Sequence, residues 1–264
     1  MPFALDLLGK LTSSFFEYSA LTEEKDQEDA KRAARECLGA SKKLLELSLS
    51  QETYLKAANV LFPVFDYALV PKGQLFTEEC IGPLTELLYR LNEIPANMWK
   101  YYLLLNYMLS GYPPEVAFLY NTPEALAQHK NPKDIAWGSD YIEEMVGAFQ
   151  NYISKGRAAL YTEKEPGFGL TLIDLLIKTI DSVYQSNKNS LDDDDDVYFI
   201  STLFSCVIEN CPDAKIDLTI PIIKRCLLYL DKIPSHKKNR RPLTQAVGMN
   251  FDCKGVIMII CSSR

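Results

Sequence analysis

Apolar residues recur along most of this 264-residue chain at a spacing of three or four positions. Between Val197 and Ile208 they fall at positions 197, 200, 203, 204, 207 and 208, which places them on one face of a helix. The segment from Ile173 to Tyr184 repeats this spacing. The alternating patterns that are typical of half-buried strands are scarce. The sequence therefore predicts an all-α protein.

The apolar pattern predicts about ten helices, several of which have start signals in the sequence. Pro212 and Asp213, for example, precede a helix that is predicted to begin near residue 215. One of the ten segments, at residues 114–128, has a weaker pattern than the others. The predicted helices cover residues 3–20, 27–48, 51–69, 74–92, 96–110, 114–128, 139–155, 168–186, 196–210 and 215–231.

Without the weak segment, the helices alternate as first and second members of pairs. First helices begin near residues 3, 51, 97, 168 and 215, with steps of 48, 46, 71 and 47 residues. Three of these steps lie close to the ~40–47-residue period of two-helix HEAT units. The long step contains an insertion near residues 111–139, and without it the period is restored. Because one pair cannot bury its apolar face alone, we predict a HEAT-repeat α-solenoid of four to five stacked antiparallel pairs.

Two stretches depart from the pattern of the solenoid, which we assign to residues 1–231. Residues 191–196 include five consecutive aspartates and are predicted to form an acidic loop whose last aspartate caps the next helix. Residues 232–264 begin with a basic turn and end in the apolar run Val256–Cys261. Such a run is an aggregation hazard when nothing covers it. We expect this tail to be irregular or truncated.

The charge of the chain is distributed unevenly. Its 28 Lys and Arg residues and 35 Asp and Glu residues give a formal net charge of −7. From Lys232 to Arg264 there are seven basic residues and one acidic residue, so residues 1–231 are strongly acidic. An acidic body disfavours direct binding to nucleic acid and favours basic partners.

Composition and segment patterns narrow the cellular setting. Apolar residues make up 47% of the chain and charged residues 24%, which is typical of folded proteins. The longest uncharged stretch, Tyr101–Pro114, is too short to cross a bilayer, so we expect no membrane insertion. Seven scattered cysteines and a start without a basic region favour a reducing, intracellular compartment.

The sequence contains no readable catalytic, cofactor-binding or metal-binding motif. Cys206 and Cys211 lack the spacing of zinc ligands, and neither His129 nor His236 lies near a nucleophile at motif spacing. The segment Gly167–Gly169 lacks the third glycine and the preceding strand of a phosphate-binding loop. We therefore predict a protein that is not an enzyme and that holds no cofactor and no metal.

Five helices share their order and spacing with those of a known family. The run Ile94–Trp99 is similar to a helix start in that family that contains Pro, Met and Trp. The similarity continues through Asp140–Met145, Asn151–Ile153, Leu172–Ile180, Val197–Cys211 and Ile220–Ile223. Over roughly residues 74–231, the chain thus resembles the karyopherin-β nuclear transport receptors, and most closely the branch of importin seven and importin eight.

This resemblance implies a HEAT-repeat superhelix that carries protein cargo between cytoplasm and nucleus through the nuclear pore. It also implies binding to Phe-Gly nucleoporins and, in full-length receptors, to the small GTPase Ran. The matching repeats belong to the later half of such receptors, whereas the amino-terminal repeats mainly bind Ran, so Ran binding is doubtful for this chain. The 111–139 insertion and the 232–264 tail depart from the family pattern, which suggests a fragment, a truncated product or an aberrant splice form.

Second helices of HEAT pairs usually line the concave face of the superhelix, and here they carry acidic residues. These residues have two readings: a surface that receives basic cargo such as ribosomal proteins or histones, or plain solvated helix faces. Contacts of the first kind weaken with salt. The candidate cargo-binding residues are Glu78, Glu79, Glu86, Asp140, Glu143, Glu144, Asp192, Asp193, Asp194, Asp195 and Asp196.

Two other functional classes stay open at this point. One is a helical-repeat scaffold unrelated to transport, such as a regulatory subunit of a phosphatase or a trafficking complex, which would lack affinity for Phe-Gly peptides. The other is a helical enzyme, which would need a pocket with convergent ionisable groups.

Overall fold

The structure is a computed structural model that describes residues 2–21, 28–110, 137–162, 171–186 and 194–211, together with Ile220 and Lys224. Nine α-helices lie within these ranges. They are α1 (Pro2–Leu21), α2 (Glu28–Leu45), α3 (Gln51–Ala68), α4 (Thr77–Arg90), α5 (Trp99–Ser110), α6 (Ile142–Lys155), α7 (Arg157–Thr162), α8 (Leu172–Ser186) and α9 (Asp194–Asn210). Short 3₁₀ segments, Pro71–Phe76, Ala96–Met98 and Trp137–Tyr141, lead directly into α4, α5 and α6.

The helices pack as pairs that stack in two layers. Within the pairs, α1 contacts α2, α3 contacts α4, α5 contacts α6 and α8 contacts α9. The second helices α2, α4, α6 and α9 contact one another in that order and form one layer. Among the first helices, α1 contacts α3 and α5 contacts α8. The predicted fold class, an all-α HEAT-repeat solenoid, is confirmed, with four pairs in the part of the chain that the structure describes.

Hydrogen bonds and a cation join the two first helices α3 and α5. Lys100 Nζ of α5 lies 2.6 Å from Asp66 Oδ1 of α3, and the Tyr101 hydroxyl donates to the same carboxylate at 3.0 Å. The Lys100 ammonium also lies 5.5 Å from the centre of the Phe62 ring. The first layer is therefore continuous across this junction.

The core of the third pair is built from aromatic rings. Trp99 and Tyr102 of α5 each pack against Tyr152 of α6, with ring centres 5.3 Å apart. The ring centres of Trp99 and Tyr102 lie 5.6 Å from each other. The buried Tyr152 hydroxyl donates to the carbonyl of Met98 at 2.7 Å, and the Tyr102 hydroxyl donates to that of Leu172 at 2.9 Å. These tyrosines bury large apolar area and still satisfy their polar atoms, which fixes α5 against α6 and α8.

The carboxyl end of α4 is held by a side chain from α6. Lys155 Nζ donates to the carbonyl oxygens of Leu88, Tyr89 and Leu91, at 2.7 Å for Leu88 and 2.6 Å for Leu91. The last carbonyls of a helix have no partner within the helix. Lys155 therefore caps α4 and fastens α6 to it.

The described helices follow the predicted positions closely. One further helix, α7, was not predicted. The acidic segment also differs from the prediction, because α9 begins at Asp194, so that Asp194–Asp196 form its first turn instead of a loop. Acidic residues are favoured at this end of a helix by the helix dipole. Asp192 and Asp193, the weak helix at 114–128 and the tail at 232–264 lie outside the described residues.

Candidate functional site

A groove of about 390 Å³ lies on the layer of second helices. It runs between α2, α4 and α6, and most of its lining comes from α4. We call it the acidic groove because four of its eight lining residues are glutamates. The lining residues are Gly39 and Lys42 of α2, Glu78, Glu79, Gly82, Thr85 and Glu86 of α4, and Glu144 of α6.

Two glycines line the acidic groove. A Cβ atom at Gly39 would meet no neighbouring atom within 4 Å, so the surface of α2 is open there. At Gly82, a Cβ atom would lie 3.3 Å from Lys42 Cδ, which shows that the Lys42 stem crosses α4 at this glycine. Alkyl stems of lysines often lie along apolar surface while the charged end stays in water. The groove thus has a glycine on each of two facing helices.

Glu79 of the acidic groove is held by an arginine of the neighbouring helix α2. Its Oε1 lies 2.9 Å from Arg35 Nε of α2, and Arg35 also donates to the carbonyl of Leu75 at 3.3 Å. The Glu79 side chain is 25% exposed. Burial raises the pKa of Glu79, and Arg35 opposes that rise. This carboxylate is therefore paired on one side only.

Unpaired buried oxygens are concentrated in the acidic groove. Within the described ranges, four buried side-chain oxygens have no hydrogen-bond partner, and three of them belong to groove residues. These three are Glu79 Oε2, Thr85 Oγ1 and Glu144 Oε2. A buried polar atom without a partner costs about 1–3 kcal/mol. The two carboxylate oxygens can only accept hydrogen bonds, whereas the Thr85 hydroxyl can also donate. Lys42 supplies a cation at the lining of the groove, and a cationic ligand would supply further donors.

Glu86 differs from the other glutamates of the groove. Its Oε1 lies 2.6 Å from Arg90 Nε, and its side chain is only 15% exposed. Arg90 in turn donates to the carbonyl of Glu46 at 3.0 Å, at the end of α2. Glu86 is therefore engaged in joining α4 to α2.

Among the remaining predicted residues that the structure describes, one lines the acidic groove and the others lie beside it or away from it. Glu78 lines the groove, whereas Asp140 and Glu143 are exposed at the start of α6 and do not line it. Burial raises the pKa of Tyr141, and the charges of Asp140, Glu78 and Glu79 raise it further, so the negative field extends over this end of α6. Asp194, Asp195 and Asp196 lie in the first turn of α9, outside the groove.

Several groove residues were missed by the sequence reasoning. Arg35, Lys42 and Thr85 have no motif that marks them. Gly39 and Gly82 did carry a signal, because a glycine inside an amphipathic helix costs stability relative to alanine and so calls for a reason. Both glycines line the acidic groove, but a Cβ atom would come close to a neighbouring side chain at Gly82 and would meet nothing at Gly39.

The described residues also bear on metal, thiol and membrane chemistry. No group of three or more His, Cys, Asp or Glu side chains among them could hold a metal ion. Burial raises the pKa of Cys80 far above its ordinary value and that of Cys206 to about 11, so neither thiol ionises readily. None of the helices in these ranges is both long and apolar enough to cross a membrane.

The fold and the groove define a helical-repeat protein with an acidic groove on its layer of second helices. One comparison relates this class of protein to a family. The chain is 26% identical over 213 residues to the importin beta-like SAD2 homolog of Arabidopsis thaliana. This match covers 80% of the chain but only 18% of that relative. No family model and no solved structure matches the chain. The similarity supports a relation to the importin-β superfamily.

Proposed function

We propose that this chain is a non-catalytic segment of an importin-type nuclear transport receptor and that its acidic groove binds a basic segment of a protein cargo. The observation that carries the proposal is the set of three unpaired, buried oxygens on Glu79, Thr85 and Glu144. The similarity to the importin beta-like protein supports the choice of transport over other uses of a helical solenoid.

The ligand chemistry follows from charge and shape. Lysine and arginine side chains bring donors for the unpaired oxygens of Glu79 and Glu144, and arginine can pair with a carboxylate through two parallel hydrogen bonds. The field of Glu78 in the groove and of Asp140 and Glu143 beside it would raise the association rate of a basic segment. This part of the binding is screened by salt beyond a Debye length of about 8 Å.

The wider proposal includes the partners of such receptors. Phe-Gly nucleoporins would bind the solenoid, and the protein would shuttle between cytoplasm and nucleus. Within the superfamily, the matched helix order favours the branch of importin seven and importin eight. Ran binding belongs to the longer receptors of the family, and we do not assign it to these repeats.

The test is a titration of the full chain with a fluorescent lysine- and arginine-rich peptide at low and at physiological salt. We expect binding at low salt that weakens as salt is added. The double variant Glu79→Gln, Glu144→Gln should bind about five- to tenfold more weakly, which corresponds to about 1–1.4 kcal/mol. The double variant Asp6→Asn, Glu52→Gln is the matched control, because it also removes two negative charges and both residues lie on first helices in exposed ion pairs, with Lys10 and Lys56.

Two results would count against the proposal. If the peptide does not bind at low salt, the groove is not a cargo site. If the control variant Asp6→Asn, Glu52→Gln weakens binding as much as the groove variant does, only the net charge of the chain matters. A parallel titration with Phe-Gly peptides separates a transport receptor from an unrelated scaffold, because only the receptor should bind them.

A further inference from the structure

The chain carries its own candidate ligand for the acidic groove. The ten residues Lys232–Arg241 contain five Lys and Arg residues and no acidic residue. Residues 1–231 contain 21 basic and 34 acidic residues, so the two parts of the chain have opposite charge. We propose that Lys232–Arg241 binds in the acidic groove of the same molecule and competes there with external basic ligands. This inference rests on the proposed function of the groove.

The groove offers this segment more than a general negative field. Glu79 Oε2 on α4 and Glu144 Oε2 on α6 are buried and lack partners, and carboxylate oxygens can only accept hydrogen bonds, so donors are needed on two facing helices. The Arg35–Glu79 pair shows the same chemistry already in use, since a guanidinium from α2 satisfies one oxygen of Glu79. An ammonium or guanidinium from Lys232–Arg241 would satisfy the others.

The covalent connection is long enough for this contact. In the second layer, α6 contacts both α4 and α9, so the groove lies within two helix spacings of α9. At about 8–10 Å per spacing, that distance is roughly 20 Å. The ten residues of the basic segment alone reach about 33 Å when extended. A further stretch of chain, residues 212–231, lies between α9 and the segment.

Attachment to the same chain makes a weak contact effective. A tethered ligand has an effective concentration on the order of 1 mM when its linker can span the sites. If the segment binds the groove with a dissociation constant of about 0.1–1 mM, it occupies the groove half of the time or more. An external basic peptide would then bind about two- to tenfold more weakly than it would to a free groove.

The first experiment compares peptide affinity among three forms of the full chain. In the segment variant, Lys237, Lys238, Arg240 and Arg241 are changed to Gln. In the control variant, four basic residues in ion pairs on their own helices are changed to Gln, namely Lys10, Lys31, Arg32 and Lys56. Both variants lose four positive charges, so their net charges change by the same amount.

We expect the segment variant to bind the external peptide two- to tenfold more tightly than the wild-type chain, and the control variant to change less than twofold. Equal tightening in both variants would overturn the inference, because net charge alone would explain it. Equal affinity in the wild type and the segment variant would also overturn it.

The second experiment uses the unmodified chain and does not depend on external cargo. A zero-length carbodiimide joins a lysine to a carboxylate only where the two are in contact, and mass spectrometry identifies the pair. We expect links from Lys237 or Lys238 to Glu78, Glu79 or Glu144 that persist on dilution. Links only to other carboxylates, or links that vanish on dilution, would overturn the inference.

The two failures can be told apart. If the links form but the external peptide binds neither the wild type nor the segment variant, the proposed cargo function fails and the internal contact stands. If the peptide binds through Glu79 and Glu144 but no such links form, the internal contact fails and the cargo function stands.

Discussion

The substitution Lys155→Met tests how neighbouring repeats are fastened to each other. Lys155 of α6 donates three hydrogen bonds to the carboxyl end of α4, to Leu88, Tyr89 and Leu91. Methionine keeps a similar unbranched stem but removes the ammonium group. Since the Lys155 stem can still pack, the loss in stability reports mainly on the cap.

The expected magnitude comes from opposing contributions. A hydrogen bond to a charged group contributes about 1.5–3 kcal/mol, and a cation at a helix carboxyl end adds about 0.3–1 kcal/mol. Burial lowers the pKa of Lys155, so holding the charged form there has a cost, although the three acceptors favour that form. Water also reaches the freed carbonyls. We therefore expect a net loss of about 1–2 kcal/mol in the free energy of unfolding.

The assay is urea unfolding of the full chain followed by far-ultraviolet circular dichroism. With a slope of about 2–3 kcal/mol/M, the expected loss lowers the urea midpoint by about 0.5 M. Lys56→Met is the control, because Lys56 pairs with Glu52 on the exposed side of α3 and contacts no other helix through its charge. The reasoning is refuted if Lys155→Met lowers the midpoint no more than Lys56→Met does.

Three shorter predictions concern close packing, a buried hydrogen bond and pH. Gly156→Ala should destabilise the chain by about 1–3 kcal/mol, because its Cβ atom would overlap the Trp99 ring. Gly9→Ala has open space around the new Cβ atom and should stabilise α1 by about 0.5–1 kcal/mol, and thermal melts of the two variants compare these effects. Thr179→Val should cost about 1 kcal/mol in urea unfolding, because the buried Thr179 hydroxyl loses its 2.8 Å hydrogen bond to α5. Binding of a basic peptide should weaken as the pH falls from about 7 to 5, because burial raises the pKa of Glu79 and protonation removes its charge. The affinity of the Glu79→Gln variant, titrated over the same pH range, should depend less on pH.

The repeat architecture could be predicted because each helix carries its own apolar stripe. The predicted helix at residues 51–69 matches α3 (Gln51–Ala68), whose start is fixed by the Ser50 side chain accepting a hydrogen bond from the Thr53 amide. The predicted start at 168 was too early for α8. There Thr171 and Asp174 form a reciprocal cap, with each side chain accepting from the other residue's amide at 3.2 Å. That signal was present in the sequence and was not used.

Helix α7 could not be predicted from periodicity, because six residues are too few to show an apolar stripe. Its position depends on contacts that are distant in sequence. The Tyr161 hydroxyl donates to the carbonyl of Val207 at 2.6 Å, and the Arg157 guanidinium donates to Asn210 Oδ1 at 2.8 Å. Both partners lie on α9, so the helix is fixed by tertiary packing.

The candidate site was predictable in its charge and not in its shape. The acidic residues of α4 and α6 were identified from the sequence, but the groove depends on which glycines face which neighbours. Gly147 of α6 is an example, because a Cβ atom there would lie 3.0 Å from Thr85 Cγ2 of α4. This close approach of α6 to α4 accompanies the burial of the Thr85 hydroxyl in the groove. Such a contact between two helices leaves no trace in the periodicity of either one.

One further prediction distinguishes the structural glutamates of the acidic groove from the binding ones. A structural carboxylate should already have a hydrogen-bond partner within the chain, and a binding carboxylate should not. Glu86 is paired with Arg90, which also reaches α2, whereas Glu144 has a buried oxygen with no partner. Glu86→Gln should therefore lower the urea midpoint and leave peptide affinity nearly unchanged. Glu144→Gln should weaken peptide binding and leave the midpoint unchanged or slightly raised. The reverse pattern, measured on the same two variants, would show that the unpaired oxygens do not mark the binding residues.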